Sequence, residues 1–329
     1  MGIIFSDRRK EMEEYISENG YEETMRGKII PYLSSLSERV DITSPRNGHR
    51  TVAEHFPLKD SRGTVVVLHG FTEGILKYSE AVYTFLSHGY EVYIIEHYGH
   101  GRSDRDEDVH DDPSKVSVKD FDIYTEDLLE LVKKIKTKPL YLFGHSMGGG
   151  IAVRFLEEHP GYFDKAVLSA PMTGMNMGGI PVPIAKALSG LMCALGKGGS
   201  YVLGHHAFTD DGDFEHSPDK SRERWAFFEK IKRENTCYRS NGATWAWVRS
   251  SLKATSLMKR KKEAQRIDCP VLLLQAESDH SVDKPSQVRF SALSDKITLK
   301  EIKGSKHEIM FSSDDVNRTF WSEVFSFLS

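Results

Sequence analysis

The chain has 329 residues, enough for one large α/β domain with an insertion or for two ordinary domains. Its 44 basic and 48 acidic residues leave a net charge of −4, which gives no electrostatic footing for nucleic-acid binding. Cys193, Cys237 and Cys269 are odd in number and far apart, which excludes a disulfide framework and points to a reducing compartment. No apolar run approaches the length needed to cross a bilayer. The first residues lack the basic head and apolar core of a signal peptide, so a cytoplasmic location is expected, with a membrane surface as the alternative. Met1-Gly2 followed by Ser6 fits the short myristoylation pattern, which also arises often by chance.

In chain order, residues 7–20 read as a charged helix and 22–36 as a turn-and-helix continuation, together an N-terminal arm over 1–38. Residues 39–43 and 49–56 are expected strands around the turn Ser44-Pro45-Arg46-Asn47-Gly48. Strands and helices then alternate: a strand over 64–68, a helix over 78–88, a strand over 90–95. A long helix over 118–136 carries Leu128, Leu129, Val132 and Ile135 at helical spacing, and strands follow over 140–143 and 165–169. The rhythm breaks over 171–254, where Pro- and Gly-rich stretches surround helical pieces at 184–195 and 221–234. It resumes with a strand over 271–275, a helix near 286–293, a strand over 297–302 and a last helix over 314–328.

Alternation of this kind predicts an α/β fold, a mostly parallel central sheet with helices on both faces. Residues 39–170 and 255–329 form its two parts. The interruption over 171–254 is expected to be an inserted helical cap above the carboxyl ends of the strands, where sites form in such sheets.

The most informative segment runs Leu140-Tyr141-Leu142-Phe143-Gly144-His145-Ser146-Met147-Gly148, a Gly-x-Ser-x-Gly pattern between an apolar strand and a helix-compatible stretch. A serine on so tight a strand-to-helix turn has its hydroxyl lifted clear of the sheet, and the following helix aims N–H groups at the same spot. Ser146 is therefore the candidate nucleophile. It needs a base to accept its proton and a third group to orient that base. Acid and then histidine are expected at later strand ends. Asp279 lies in the first loop after 271–275 and is the expected acid, with Glu277 and Asp283 as alternatives. His307 follows the strand 297–302 directly and is the expected base. His145 and His69 read as packing residues. For the oxyanion, the backbone N–H groups of Met147 and Phe71 are expected, Phe71 from the loop His69-Gly70-Phe71-Thr72-Glu73-Gly74.

Two other clusters read more simply. Residues 204–216 are rich in His and Asp, but their spacing matches no standard metal site and a solvated loop is expected. Residues 96–104 are Gly-punctuated after a strand but lack the Lys-Ser/Thr ending of a phosphate loop, so a structural turn is expected. No cofactor or metal is expected. The basic run Lys259-Arg260-Lys261-Lys262 reads as a solvated helix face.

With these pieces placed, the sequence resembles the α/β-hydrolase fold, and within it the monoacylglycerol lipase and bacterial lysophospholipase L2 group. His69 to Glu73, Gly99 to Ser103, Gly144 to Gly149, Leu272 to Asp279 and Gly304 to Glu308 carry that likeness from Val40 onward. Ser221 to Arg224 and Asn241 to Val248 resemble the lysophospholipase L2 cap. The resemblance implies an ester hydrolase acting on a lysophospholipid or monoacylglycerol through Ser146, Asp279 and His307. The cap adds Met172, Met175, Met177, Ile180, Leu188 and Leu191 among glycines and prolines, a flexible apolar surface suited to an acyl chain and to transient membrane contact. A proline iminopeptidase-type peptidase and a non-catalytic binding protein on the same fold are the alternatives.

Overall fold

The computed structural model describes residues 12–329. Eight strands form one sheet: β1 (Glu38–Thr43), β2 (Arg50–Phe56), β3 (Thr64–Leu68), β4 (Glu91–Glu96), β6 (Leu140–His145), β7 (Lys165–Ser169), β9 (Val271–Ala276) and β10 (Ile297–Ile302). Their order is β1-β2-β4-β3-β6-β7-β9-β10; β1, β2 and β4 pair antiparallel and every later neighbour pairs parallel. Two short strands, β5 (Lys115–Val116) and β8 (Gly242–Ala243), pair with each other apart from it.

β3, β6 and β9 are buried along their whole length, so their sequences read as continuous apolar runs rather than alternating ones. Alternate side chains nevertheless serve different cores. Val66, Leu68, Leu140 and Leu142 face helices α2 (Asp122–Val132) and α3 (Met147–Glu158). Val65, Val67, Tyr141 and Phe143 face α1 (Ser79–Ser87) and α8 (Asp314–Leu328), with the N-terminal arm packed on the same side. Helices thus cover both faces, as expected.

Between β7 and β9 the chain leaves the sheet and forms α4 (Val182–Ala194), α5 (Arg222–Glu234) and α6 (Trp245–Leu257). The helix α7 (Lys284–Ser291) then lies between β9 and β10. Helix α6 was not foreseen from the sequence. Its polar residues do not mark its exposed face, since Arg249 and Lys253 are exposed but Ser250, Ser251 and Thr255 are buried, and Thr244 caps it by accepting the Trp247 N–H at 3.3 Å.

Two expected helices need correction. Residues 12–20 are turns and bends, because the Asp314 carboxylate takes the Ser17 hydroxyl at 2.8 Å and the Glu18 N–H at 2.9 Å. Residues 7–11 and the myristoylation pattern lie outside the described residues. The helix expected over 118–136 is confined to Asp122–Val132, since Val116 and Val118 enter the core from extended chain and residues 133–135 tighten into a turn.

Candidate active site

β6 ends at His145 and is followed by Ser146, whose backbone sits at φ 52, ψ −117, a conformation that L residues rarely adopt. The turn closes only because its neighbours lack side chains. A Cβ on Gly148 would lie 2.2 Å from the Leu68 carbonyl oxygen, and one on Gly144 2.6 Å from the Gly148 carbonyl oxygen. Helix α3 starts at Met147, so its first N–H groups have no intrahelical partner and point to the region of the serine hydroxyl.

The loops after β9 and β10 bring the other two expected residues to it. His307 Nε2 lies 2.9 Å from Ser146 Oγ, and His307 Nδ1 lies 2.8 Å from Asp279 Oδ2. Asp279 also accepts the N–H groups of Ser281 at 2.9 Å and Val282 at 3.1 Å. Burial works against its charge, yet the His307 hydrogen bond and charge, with these two N–H groups, hold its carboxyl below the usual range. The alternative acids are engaged elsewhere: Glu277 takes the Gly304 N–H at 2.8 Å, and Asp283 pairs with Arg289 at 2.8 Å.

Phe71 follows β3 and borders the same cavity as Ser146, its ring 4.3 Å from that of Trp247. The loop is held beneath by the Glu73 carboxylate, which accepts the Gly70 N–H at 2.5 Å and the Tyr78 hydroxyl at 2.7 Å. His69 is buried; its Nδ1 lies 2.8 Å from the Gly70 carbonyl, its Nε2 accepts the His97 N–H at 3.1 Å, and burial lowers its pKa. The turn over 96–104 is stitched from within: buried Glu96 accepts the Arg102 N–H at 2.8 Å and its Nε at 2.9 Å. Most residues of 204–216 are exposed.

Sequence reasoning missed an ionic cluster directly under these loops. Lys77 Nζ lies 2.5 Å from Glu73 and 2.9 Å from Glu308, and His145 Nε2 lies 3.4 Å from Glu308. Burial opposes the Lys77 charge, but Glu308, Glu73 and Asp219 outweigh it and raise its pKa. Burial also opposes the Glu308 charge, but Lys77 and His145 hold its carboxyl well below the usual range. The only signals in sequence were the four-residue spacing of Glu73 and Lys77 and the position of Glu308 after His307. Among the described residues, His145, His307 and Glu308 are also the one group near enough to share a metal ion, but the Lys77 ammonium is already paired with that carboxylate.

Above Ser146 and His307 opens a cavity of about 520 Å³. Apart from Phe71, Thr72, Glu73 and the surroundings of Ser146 and His307, its walls come from 172–188 and 202–248, chiefly Met172, Met175, Met177, Leu188, Trp245 and Trp247. Outside the cavity, Ile184 and Leu191 on α4 and Leu195 at its end are more than half exposed, and so is Leu203 on the cavity's border.

A family model described as serine aminopeptidase, S33, matches residues 59–314, more than three-quarters of the chain. The chain belongs to the serine aminopeptidase S33 family. Within that family it is 32% identical to a probable lysophospholipase L2 of Haemophilus influenzae, covering 82% of this chain and 84% of the relative. It is 31% identical to lysophospholipase L2 of Escherichia coli K12 (76% and 75% covered) and 25% identical to monoglyceride lipase of Mus musculus (83% and 84%). Among solved structures, a soluble variant of monoglyceride lipase from Saccharomyces cerevisiae with a substrate analog superposes at TM-score 0.69, with 17% identity over 89% of this chain and 95% of that one. A carboxyl esterase from Bacillus coagulans superposes at 0.71, with 18% identity over 89% and 97%. These structural likenesses establish the α/β-hydrolase fold.

Proposed function

We propose that this protein is a serine carboxylic-ester hydrolase of single-chain lipids, a lysophospholipase or monoacylglycerol lipase. The observation that carries the reading is a mainly apolar cavity opening onto a serine already within hydrogen-bond distance of a histidine that an aspartate orients. His307 Nε2 takes the Ser146 proton as Oγ attacks the ester carbonyl, and Asp279 holds the Nδ1–H. The N–H groups of Phe71 and Met147 stabilise the oxyanion. The tetrahedral intermediate expels the glycerol or glycerophosphodiester alcohol, which takes the proton from His307. Water, deprotonated by the same histidine, then cleaves the acyl-serine and restores the enzyme. The names of the curated relatives point to the same substrate class.

The family description raises the peptidase alternative. An aminopeptidase needs a carboxylate for the substrate's ammonium group. The two carboxylates bordering the cavity, Glu73 and Glu308, are both paired with Lys77, which argues for the ester.

Residues 171–254 act in this reading as a cap whose inner face receives the acyl chain. The exposed apolar face of α4 then rests on a lipid surface. No helix among the described residues is long and apolar enough to cross a membrane; the location proposed with this reading is cytoplasmic, peripheral to a membrane through the exposed apolar side chains of α4.

The test is turnover of lysophospholipids, monoacylglycerols and aminoacyl amides by the wild-type and Ser146→Ala proteins, with fluorophosphonate labelling beside it. Lipid esters should be the best substrates. Ser146→Ala should lose labelling and at least about 10³-fold in kcat while melting at the wild-type temperature. Preferred cleavage of aminoacyl amides, or turnover surviving in Ser146→Ala, overturns the proposal.

A further inference from the structure

The ionic cluster beneath the site is buried and joins groups that the proposed reaction does not itself use. Lys77 lies on a helical turn, Ile75–Tyr78, just after the Phe71 loop. Its ammonium reaches Glu73, which grips the Gly70 N–H in that loop, and Glu308, the residue after His307. The Lys77 side chain is only 9% exposed, and its ammonium lies 5.2 Å from the centre of the Phe228 ring and 4.9 Å from that of Phe311. Phe228 belongs to α5 of the cap segment, which also reaches the His307 loop through its backbone. The Pro218 carbonyl accepts the Glu308 N–H at 3.2 Å, and the Ser217 carbonyl accepts Lys306 Nζ at 3.0 Å.

An ammonium buried this way is expensive unless it is paired on more than one side. Here it is paired with Glu73 and Glu308, which come from two different loops, and Asp219 of a third adds its charge. The groups facing it are Glu73 beside β3, His145 on β6, Glu308 after β10, and Asp219 of the cap segment, itself near Glu229. The His307 imidazole is near enough for its charge to act on Glu308, and Asp279 lies beyond it, bonded to His307 Nδ1.

We propose that Lys77 is a positioning residue: it ties the loop that carries Phe71 to the loop that carries His307, and its charge offsets the Glu308 carboxylate beside the imidazole. Asp219 brings the cap segment into the same cluster, so that the oxyanion donor, the base and the cap share one anchor. The inference rests on the roles given above to Ser146 and His307. It does not depend on which lipid is the substrate.

The charge argument fixes the sign of a test. Lys77→Met leaves Glu308 unopposed, favours the protonated imidazole and moves the acidic limb of kcat/KM to higher pH. Glu308→Gln removes that carboxylate and moves the limb to lower pH. Lys77→Arg keeps the charge and the limb where it is.

The measurement is kcat and KM for a water-soluble short-chain ester from pH 5 to pH 9. Expected are a fall in kcat of about tenfold or more for Lys77→Met with KM little changed, and limb shifts of opposite sign in Lys77→Met and Glu308→Gln. Limbs that coincide with wild type, or that move the same way in both variants, overturn the proposal. Should Lys77→Met fail to fold, Glu308→Gln decides alone: a limb that stays put or rises overturns it. Fluorophosphonate labelling separates this outcome from failure of the parent reading. If Ser146 is not the nucleophile, wild type is unlabelled or Ser146→Ala still turns over; if only the Lys77 inference is wrong, Ser146 labels and the limbs alone are unmoved.

Discussion

Ser146 carries a backbone conformation that costs on the order of 1–3 kcal/mol, and the fold sustains it through contacts that only Gly144 and Gly148 permit. The strain places the hydroxyl above the sheet, within 2.9 Å of His307. The orientation of His307 depends in turn on one carboxylate oxygen of Asp279, because the other is taken by the Ser281 and Val282 N–H groups. Asp279→Asn should therefore keep the packing but offer the imidazole the wrong hydrogen-bonding partner. On the proposed mechanism kcat falls by about 10³–10⁴-fold with KM little changed, measurable as initial rates on a short-chain ester. Activity within tenfold of wild type would remove Asp279 from its role. These three residues were legible in sequence because each sits in a loop just beyond a strand, and strand ends can be found from apolar runs. Lys77, Glu308 and Asp219 were not, since nothing in a linear pattern says that residues 77, 219 and 308 share one buried volume.

Among the elements, β3, β6, β9 and the final helix were the most legible, because burial on both faces writes an uninterrupted apolar run and α8 alternates apolar and polar residues at helical spacing. The arm and α6 were not. Residues 12–20 are held by contacts to Asp314 some three hundred positions away, and the exposed Arg249 and Lys253 of α6 are interleaved with the buried Ser250, Ser251 and Thr255, which blurs its amphipathic pattern. What fixes α5 is similarly long-range. Arg224 is buried and donates twice to Glu80 on α1, at 2.9 Å each, and also to the Ile16 carbonyl at 2.7 Å and the Ser312 carbonyl at 2.9 Å. One guanidinium thus joins the segment between β7 and β9, α1, the arm and the approach to α8. Arg224→Met should lower stability by about 3–5 kcal/mol, because the Glu80 carboxylate stays buried without its partner. Arg224→Met with Glu80→Gln should recover part of that loss. Urea unfolding of the two variants and wild type checks both statements; equal losses in the single and double variants would show that the pair does not act as a unit.

At the scale of the whole molecule, the segment between β7 and β9, the proposed cap, has one half fastened and one half that meets solvent with apolar side chains. Helix α5 is held by Arg224, whereas α4 and its C-cap residue present Ile184, Leu191 and Leu195, 57%, 56% and 61% exposed. Their spacings of seven and eleven residues put them on one face of the helix. Ile180 and Leu203, also exposed, border the cavity as well, so the apolar surface runs on into the chamber above Ser146. A lipid ester entering from a bilayer would then stay in apolar surroundings along its path, which is the physical advantage of such a continuity. Burying three half-exposed aliphatic side chains in an interface contributes about 3 kcal/mol, or roughly a hundredfold in partitioning. Ile184→Ser, Leu191→Ser and Leu195→Ser combined should therefore weaken binding to phosphatidylcholine vesicles by roughly that factor in a sedimentation assay. Turnover of a water-soluble short-chain ester should stay at the wild-type rate, because none of the three touches the candidate triad. Vesicle binding unchanged in the triple variant would detach membrane docking from this helix and leave its apolar face to another occupant.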